Sequence, residues 1–341
     1  MAHRRKLLLT VPLKGDFSFF IDDEVVEGIR LNTTIQVEDK LTDLLETAKE
    51  RAHGKEVWID LKGRQLRIAS QNVEIQKDQE IHYIGLSHEI ELNLKDNQVY
   101  AIFDNGKICA EVKELKDNRT LVIPSSTEKR KGLPLPAQGE VGLRQGMSVT
   151  ILDDSLKVKG FLTERDKKWI EAGAKVGIHN YMLSFTERRQ DIFDVLALDK
   201  EAKLKLKIES REGMRFVENA YSEFSGLTSK YRGKVNLMAA LGDLYLQLEP
   251  DEIILACKKI IKADPNAVMA SRLLESSMQY NKRPKSQDLF DLTCKMYLGY
   301  KKFMLGDDVC RSKEGCLEAI DLFKTMSENY GRVRNWRELL S

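Results

Sequence analysis

Short apolar runs alternate with amphipathic segments along most of this chain, and the order of the two kinds predicts its architecture. Strand-like runs occupy Lys6–Leu13, Gly28–Asn32 and Glu56–Lys62, with a helix at helical spacing over Val37–His53. The rhythm resumes after Asp166. Thr163 stands at an N-cap position with Asp166 three places on, a capping-box-like helix start. Strand Asn180–Phe185, helix Glu187–Leu198, strand Leu204–Glu209 and a helix from Glu212 follow. Strand Val235–Ala240, helix Asp251–Ala263, strand Ala267–Leu273, helix Ser286–Leu298, strand Lys302–Leu305 and helix Lys313–Ser327 complete the series. Eight strands with helices between most of them predict a (β/α)₈ TIM barrel, whose chemistry sits at the C-terminal strand ends. The segment Lys14–Glu27 is short for a full barrel helix, and its Phe17, Phe19, Phe20 and Ile21 read as a packing patch.

From about Gln71 to Gly160 the pattern changes. This stretch is rich in Val, Ile, Thr and turn residues, Asp104-Asn105-Gly106 is a strong hairpin signal, and Pro124, Pro134 and Pro136 punctuate it. It reads as a small all-β domain inserted after the third barrel strand and acting as a lid. The expected division is 1–70 for the first part of the barrel, 71–160 for the insertion and 161–341 for the rest.

Composition narrows the function classes. With 341 residues, 42% hydrophobic and 32% charged, the chain can bury a large core. A formal charge of +2 lacks the clustered excess of Lys and Arg that a nucleic-acid binder needs. The apolar stretch Leu7-Leu8-Leu9 is too short for a signal peptide or a membrane span, so neither nucleic acid nor membrane is expected as a partner, and a cytoplasmic location is. Cys109, Cys257, Cys294, Cys310 and Cys316 are odd in number and form no CxxC pair. They read as buried, inert thiols rather than disulfides or a zinc site.

The most informative segment is Lys203–Met214, KLKLKIESREGM, an alternating strand ending in Lys207-Ile208-Glu209, so that a cation and an anion leave one face together. The strand Val235–Ala240 runs into Leu241-Gly242-Asp243. Two carboxylates and an ammonium at the ends of successive strands suit a divalent metal and a phosphate. Taken singly, Lys207 and Glu209 also read as an ordinary same-face pair, Asp243 as a cap, Arg30 as a surface ion-pair partner, Asp60 as a turn residue, and Lys131 as part of a solvated basic run.

In order, these segments resemble the pyruvate kinase family. Gly28–Thr34 (GIRLNTT) resembles its ARLNFSH segment, Ile59–Arg67 (IDLKGRQLR) its DTKGPEIR, and Lys131–Pro136 (KGLPLP) its KGVNLPG. Leu162–Asp166 resembles LTEKD, Leu183-Ser184-Phe185 resembles ALSF, and Lys207-Ile208-Glu209 with Glu212-Gly213-Met214 is similar to KIENxEGV. Gly242-Asp243-Leu244 resembles RGDLG, and Ala270–Ser276 resembles ATQMLES, with Arg283-Pro284 following. The likeness runs to roughly Ser327.

The resemblance implies phosphoryl transfer between phosphoenolpyruvate or pyruvate and ADP or ATP. Glu209 and Asp243 would hold Mg²⁺ or Mn²⁺, Lys207 would offset the charge of the moving phosphoryl group, and Arg30 would grip it. Ser271 would take the place of the family's Thr near the enolate carbon. The backbone of Gly242 and Asp243 would receive the substrate carboxylate, beside Ser271 and Arg272. Asn32, Thr34, Asp60 and the Leu61 carbonyl match the family's monovalent-cation ligands, with K⁺ as the ion. Arg30, Asn32, Arg67 and Lys131 would meet the nucleotide.

Several residues depart from the family pattern: Leu241 replaces an Arg, Tyr245 a Gly, Gln247 a Glu and Arg272 a Gln, and Glu187 lies near where an Arg is expected. These departures keep open a related phosphoenolpyruvate or pyruvate enzyme with another acceptor (a hydroxy-acid kinase or a metal-dependent C–C lyase), and a non-catalytic binding protein. The family's C-terminal regulatory domain is expected to be missing, which leaves a homodimer through barrel helices or a monomer.

Overall fold

The computed structural model describes residues 5–12, 17–34, 40–69, 81–95, 98–106, 108–124, 143–226, 229–271, 273–274 and 284–330. These residues fall into two compact units, Lys62–Glu164 and the remainder of the chain on either side of it.

The larger unit begins with strand β1 (Lys6–Val11), the single turn α1 (Ser18–Ile21), β2 (Val26–Asn32), α2 (Leu41–Arg51) and β3 (Glu56–Leu61). In the short α1 segment Phe20 and Ile21 are buried, and Phe19 meets Phe20 edge-on at 4.8 Å.

The chain leaves the barrel after β3 to build the second unit. Its strands are β4 (Ile81–Gly85), β5 (Ile90–Glu91), β6 (Tyr100–Phe103), β7 (Ile108–Glu111), β8 (Glu114–Lys116), β9 (Thr120–Pro124), β10 (Val149–Ile151) and β11 (Lys157–Val158). They form antiparallel sheets in the orders β4-β9-β8, β10-β6-β7 and β11-β5. The Asp-Asn-Gly signal lies between β6 and β7, which pair antiparallel with Phe103 opposite Ile108. Asp104 and Gly106 take φ of +49° and +101°, the left-handed values that Asp and Gly tolerate best. The unit is wider at both ends than the expected 71–160. Leu66 and Ile68 belong to its apolar core with Ile84, Leu86, Phe103 and Ile151, so the core starts before the apparent change of composition.

The barrel resumes with α3 (Glu164–Lys175), directly after Thr163. It continues through β12 (Asn180–Leu183), α4 (Arg189–Leu198), β13 (Lys203–Ile208), α5 (Arg211–Asn219), the short α6 (Ser222–Ser225), β14 (Val235–Ala240), α7 (Leu241–Gln247) and α8 (Ile253–Ala263). The last elements are β15 (Val268–Ala270), α9 (Ser286–Tyr297), β16 (Lys302–Leu305), α10 (Asp307–Cys310) and α11 (Lys313–Tyr330). The eight long-range strands close in the order β1-β16-β15-β14-β13-β12-β3-β2, all pairs parallel. The predicted (β/α)₈ barrel with an inserted small all-β domain is therefore the observed fold.

The two-residue period of each strand sorts its side chains. Leu8, Trp58, Met182, Met238, Val268, Ala270 and Met304 form one buried cluster drawn from six strands, the apolar plug of the barrel. Moving two residues along several of these strands towards their C-terminal ends brings up Thr10, Asp60 and Ser184. On neighbouring strands Arg30 joins this level opposite Thr10, and Lys207, opposite Met238 of the plug, reaches it through its long side chain, which contacts Ser184 and Asp60. Alternation thus stacks a polar layer on the plug at the end where barrel chemistry is built. Below it, Lys205 lies 3.5 Å from the centre of the Trp58 ring, whose Nε1–H donates to Glu56 at 3.0 Å. Gly28 is required where β2 meets β3, because a Cβ there would lie 2.4 Å from the Glu56 carbonyl oxygen.

All five cysteines are free thiols. Cys109, Cys257, Cys310 and Cys316 are buried as expected, but Cys294 is exposed, since it falls on the outward side of α9.

Candidate active site

Three strand ends supply the centre of the site. Lys207, the fifth residue of β13, points inward and is 7% exposed. Its ammonium lies 3.1 Å from Glu209 Oε1 and 3.4 Å from Asp60 Oδ1, and it donates to Ser184 Oγ at 2.8 Å. The other carboxylate oxygen of Glu209 accepts the Phe185 backbone N–H at 2.8 Å. Asp60, at the end of β3, is fully buried and is shared with Arg30, which reaches its Oδ2 from both Nε and Nη2. Arg30 Nη1 then donates to Thr10 Oγ at 3.1 Å and to Asp307 Oδ2 at 2.8 Å. One continuous chain of charges therefore runs from Glu209 through Lys207, Asp60 and Arg30 to Asp307.

Burial and neighbours set the protonation of this chain. Desolvation pulls the Lys207 ammonium down, but Asp60 and Glu209 outweigh it, and its pKa lies above the usual lysine value. Arg30 behaves alike: burial opposes its charge, and Asp60 and Asp307 more than offset the loss. Glu209 is pushed up, first by burial and then by the like charge of Asp243, against the pull of Lys207. The upward push is therefore mainly desolvation, with the Asp243 charge adding to it.

Asp243 lies in the first turn of α7, directly after β14, and is buried. Gly242 precedes it, and a Cβ placed on Gly242 would lie 3.7 Å from the Ser271 side chain, so the β14 and β15 ends meet here. Ser271 has φ of +68° and Phe185 +49°, uncommon values for residues other than glycine. Such strain gathers at strand ends that carry function.

The remaining predicted residues divide. Asn32 Oδ1 accepts from the Thr34 backbone N–H at 3.2 Å and lies 3.0 Å from Thr34 Oγ, while its Nδ2 donates to both Asp307 oxygens at 3.2 Å. The Leu61 carbonyl accepts the Ser184 N–H at 3.2 Å. Arg67 belongs to the inserted unit, where its backbone N–H donates to Ser87 Oγ at 3.0 Å and its guanidinium contacts Gln65 and the Gly146 carbonyl. Lys131 and Arg272 lie outside the described residues. Leu241 is buried at the start of α7, and Tyr245 is 44% exposed on the same helix.

Three members of the network were not predicted: Thr10, Ser184 and Asp307. Thr10 shares the inward parity of Leu8, and Asp307 lies two residues past a predicted strand, so the rule that chemistry sits at C-terminal strand ends identifies both. Ser184 falls within Leu183-Ser184-Phe185, the segment that resembles ALSF.

With the geometry in view, comparison with known proteins decides the family. A family profile described as "Pyruvate kinase, barrel domain" matches residues 32–313, well over half of the sequence. This chain belongs to the pyruvate kinase family. A pyruvate kinase from Naumovozyma castellii is 27% identical over 223 residues, 63% of this chain and 39% of the relative. The chain thus spans about two fifths of the length of that yeast enzyme. A pyruvate kinase from Thermotoga maritima is 22% identical, over 95% of this chain and 70% of its own length. Among solved structures, Cryptosporidium parvum pyruvate kinase aligns with a TM-score of 0.71 at 17% identity, covering 96% of this chain and 71% of that one, a likeness of fold. Among the described residues, no helix is long and apolar enough to cross a membrane.

Proposed function

We propose that the barrel moves a phosphoryl group between phosphoenolpyruvate and a nucleotide, ADP or ATP, with a divalent metal. The observation that carries this reading is the placement of Lys207 between Glu209, Asp60 and Ser184 on the polar layer, with Arg30 on the far side of Asp60. A phosphoryl group in flight spreads negative charge over its equatorial oxygens, and fixed cations that need no reorganisation are what a protein can offer it. Lys207, held charged by its buried partners, fills that role, and Arg30 orients the same phosphate. Ser271 holds a hydroxyl near the carbon that gains a proton when the enol becomes a ketone.

A divalent ion fits the donor set. Glu209 and Asp243 are hard oxygen donors whose mutual repulsion a cation relieves. Among the described residues no group of three or more Asp, Glu, His or Cys side chains gathers to hold a metal. Two carboxylates still suffice for Mg²⁺ or Mn²⁺, which commonly take their remaining ligands from substrate and water. When bound, the ion supplies Lewis-acid charge neutralisation. By the family resemblance, the oxygens of Asn32, Thr34, Asp60 and Leu61 would hold K⁺.

The test is to incubate the purified chain with phosphoenolpyruvate, ADP and Mg²⁺ and to follow ATP, with Lys207→Met as the blank. ATP formation by the wild type alone supports the reading. Phosphoenolpyruvate binding without ATP supports a second reading, a related enzyme with a different acceptor. Buried Leu241 in place of the family's arginine and exposed Tyr245 on α7 favour it.

A further inference from the structure

We propose that Asp307 is an internal competitor for the phosphate at Arg30, a carboxylate latch that must swing aside before the guanidinium can take its ligand. The inference rests on the reading of Arg30 as a phosphate-binding residue.

A guanidinium has five N–H donors. Here Nε and one Nη2 donor go to Asp60 Oδ2, and the two on Nη1 go to Thr10 at 3.1 Å and Asp307 at 2.8 Å. Four of the five are thus spoken for, and a fork-like grip on phosphate requires two neighbouring donors. Something has to yield. Asp60 is the wrong candidate, because its side chain is fully buried and also faces Lys207. Thr10 is fixed by its own donation to the Leu305 carbonyl at 2.9 Å. Asp307 is different: its side chain is 47% exposed, against 9% for Arg30, and it opens the four-residue helix α10 just past β16. Asn32, a neutral amide, donates to both Asp307 oxygens at 3.2 Å. A carboxylate oxygen 2.8 Å from Nη1 stands where a phosphate oxygen would bond, so the two anions exclude each other there by charge and by space. The latch would keep Arg30 ordered in the ligand-free protein and would weaken retention of anions that cannot displace it.

Titration calorimetry with inorganic phosphate and with phosphoenolpyruvate, at constant Mg²⁺ and ionic strength, tests this on wild type, Asp307→Asn and Asp308→Asn. Asp308 is a control for charge alone, since it is exposed and pairs with Arg311 at 3.4 Å. The expected result is that Asp307→Asn tightens binding of both anions by about tenfold or more, the weight of one charge-assisted hydrogen bond, while Asp308→Asn leaves it within about twofold. Asp307→Ser, which also removes the charge, should behave like the asparagine variant and serves if that variant folds poorly. Unchanged or weaker binding in both Asp307 variants, with the wild type still binding phosphoenolpyruvate, overturns the latch and leaves the functional reading standing. Equal tightening by Asp308→Asn reduces the effect to net charge and overturns it too. Absence of anion binding in every protein overturns the latch together with the reading beneath it.

Discussion

Replacing Lys207 by Met removes the cation that lies 3.1 Å from Glu209, and the structure allows its cost to be estimated. The ammonium is almost wholly buried and serves Glu209 at 3.1 Å, Asp60 at 3.4 Å and Ser184 at 2.8 Å. Asp60 keeps Arg30 as a partner, but Glu209 keeps the Phe185 N–H and a repulsive Asp243. Breaking a buried pair by deleting one member typically costs about 3–5 kcal/mol, because the surviving charge is left uncompensated. For a domain of this size that corresponds to a fall in Tm on the order of 5–10 °C. The lysine is therefore expected to matter for folding as well as for transfer, and a double-mutant cycle separates the two. Glu209→Gln in the Lys207→Met background should restore about 1–3 kcal/mol of stability through the coupling of the pair, without restoring transfer. Urea unfolding followed by circular dichroism gives the free energies, and ATP formation gives the rate. Additivity within about 0.5 kcal/mol, or a Lys207→Met loss below about 1 kcal/mol, would refute the buried charge chain.

Other outcomes follow from the same structure. Burial, only partly opposed by Glu56, lowers Lys205 to about 8. The unfolded chain then binds more protons than the folded one between that pH and the ordinary lysine value, so this group makes stability rise with pH across that window, by up to about 3 kcal/mol. The difference in unfolding free energy between wild type and Lys205→Met should show this slope, and a flat difference would contradict it. Tyr181, raised by burial and by its bond to Asp199, works in the opposite sense above the ordinary tyrosine range, so taking the difference is essential. Gly28→Ala drives a methyl into the Glu56 carbonyl oxygen and should cost about 1–3 kcal/mol, read as a lowered urea midpoint; an unchanged midpoint would mean that β2 and β3 part easily. Ser210 caps α5 by accepting the Gly213 N–H at 3.0 Å while its hydroxyl donates to Glu187 Oε1 at 2.6 Å, and Ser210→Ala should lose about 1 kcal/mol in the same assay, most of it recovered by Ser210→Thr, which keeps the hydroxyl.

The barrel was legible because its strands are buried on both faces and its helices are amphipathic, so each element shows in the sequence by composition or period. Strand ends came within a few residues; the run read as Lys6–Leu13 ends at Val11, and that read as Ala267–Leu273 covers only Val268–Ala270. The second difference has a local cause, since Ser271 turns left-handed and leaves the strand. The inserted domain was harder to bound. Its core recruits Leu66 and Ile68, just past the turn at Gly63 that follows β3 and ahead of the change in composition near Gln71. Within the site, Asp60 and Arg30 announce themselves as charges in apolar strands, and Lys207 and Glu209 as a cation and an anion at the end of an alternating one. Their mutual order does not, because it depends on register: Asn32 lies opposite Asp60 and Lys207 opposite Met238 only once the barrel closes. The strand-end rule points to Asp307, but its pairing with Arg30 joins residues 277 positions apart and appears only in the closed barrel.

The central claim is that two carboxylates and one amine at the barrel mouth manage a metal-bound phosphoryl group. Manganese-induced relaxation of the ³¹P signal of phosphoenolpyruvate tests it most directly. Strong enhancement is expected with the wild-type chain, lost in Glu209→Gln and Asp243→Asn variants that remain folded. Equal enhancement in those variants, or none with the wild type, would contradict it.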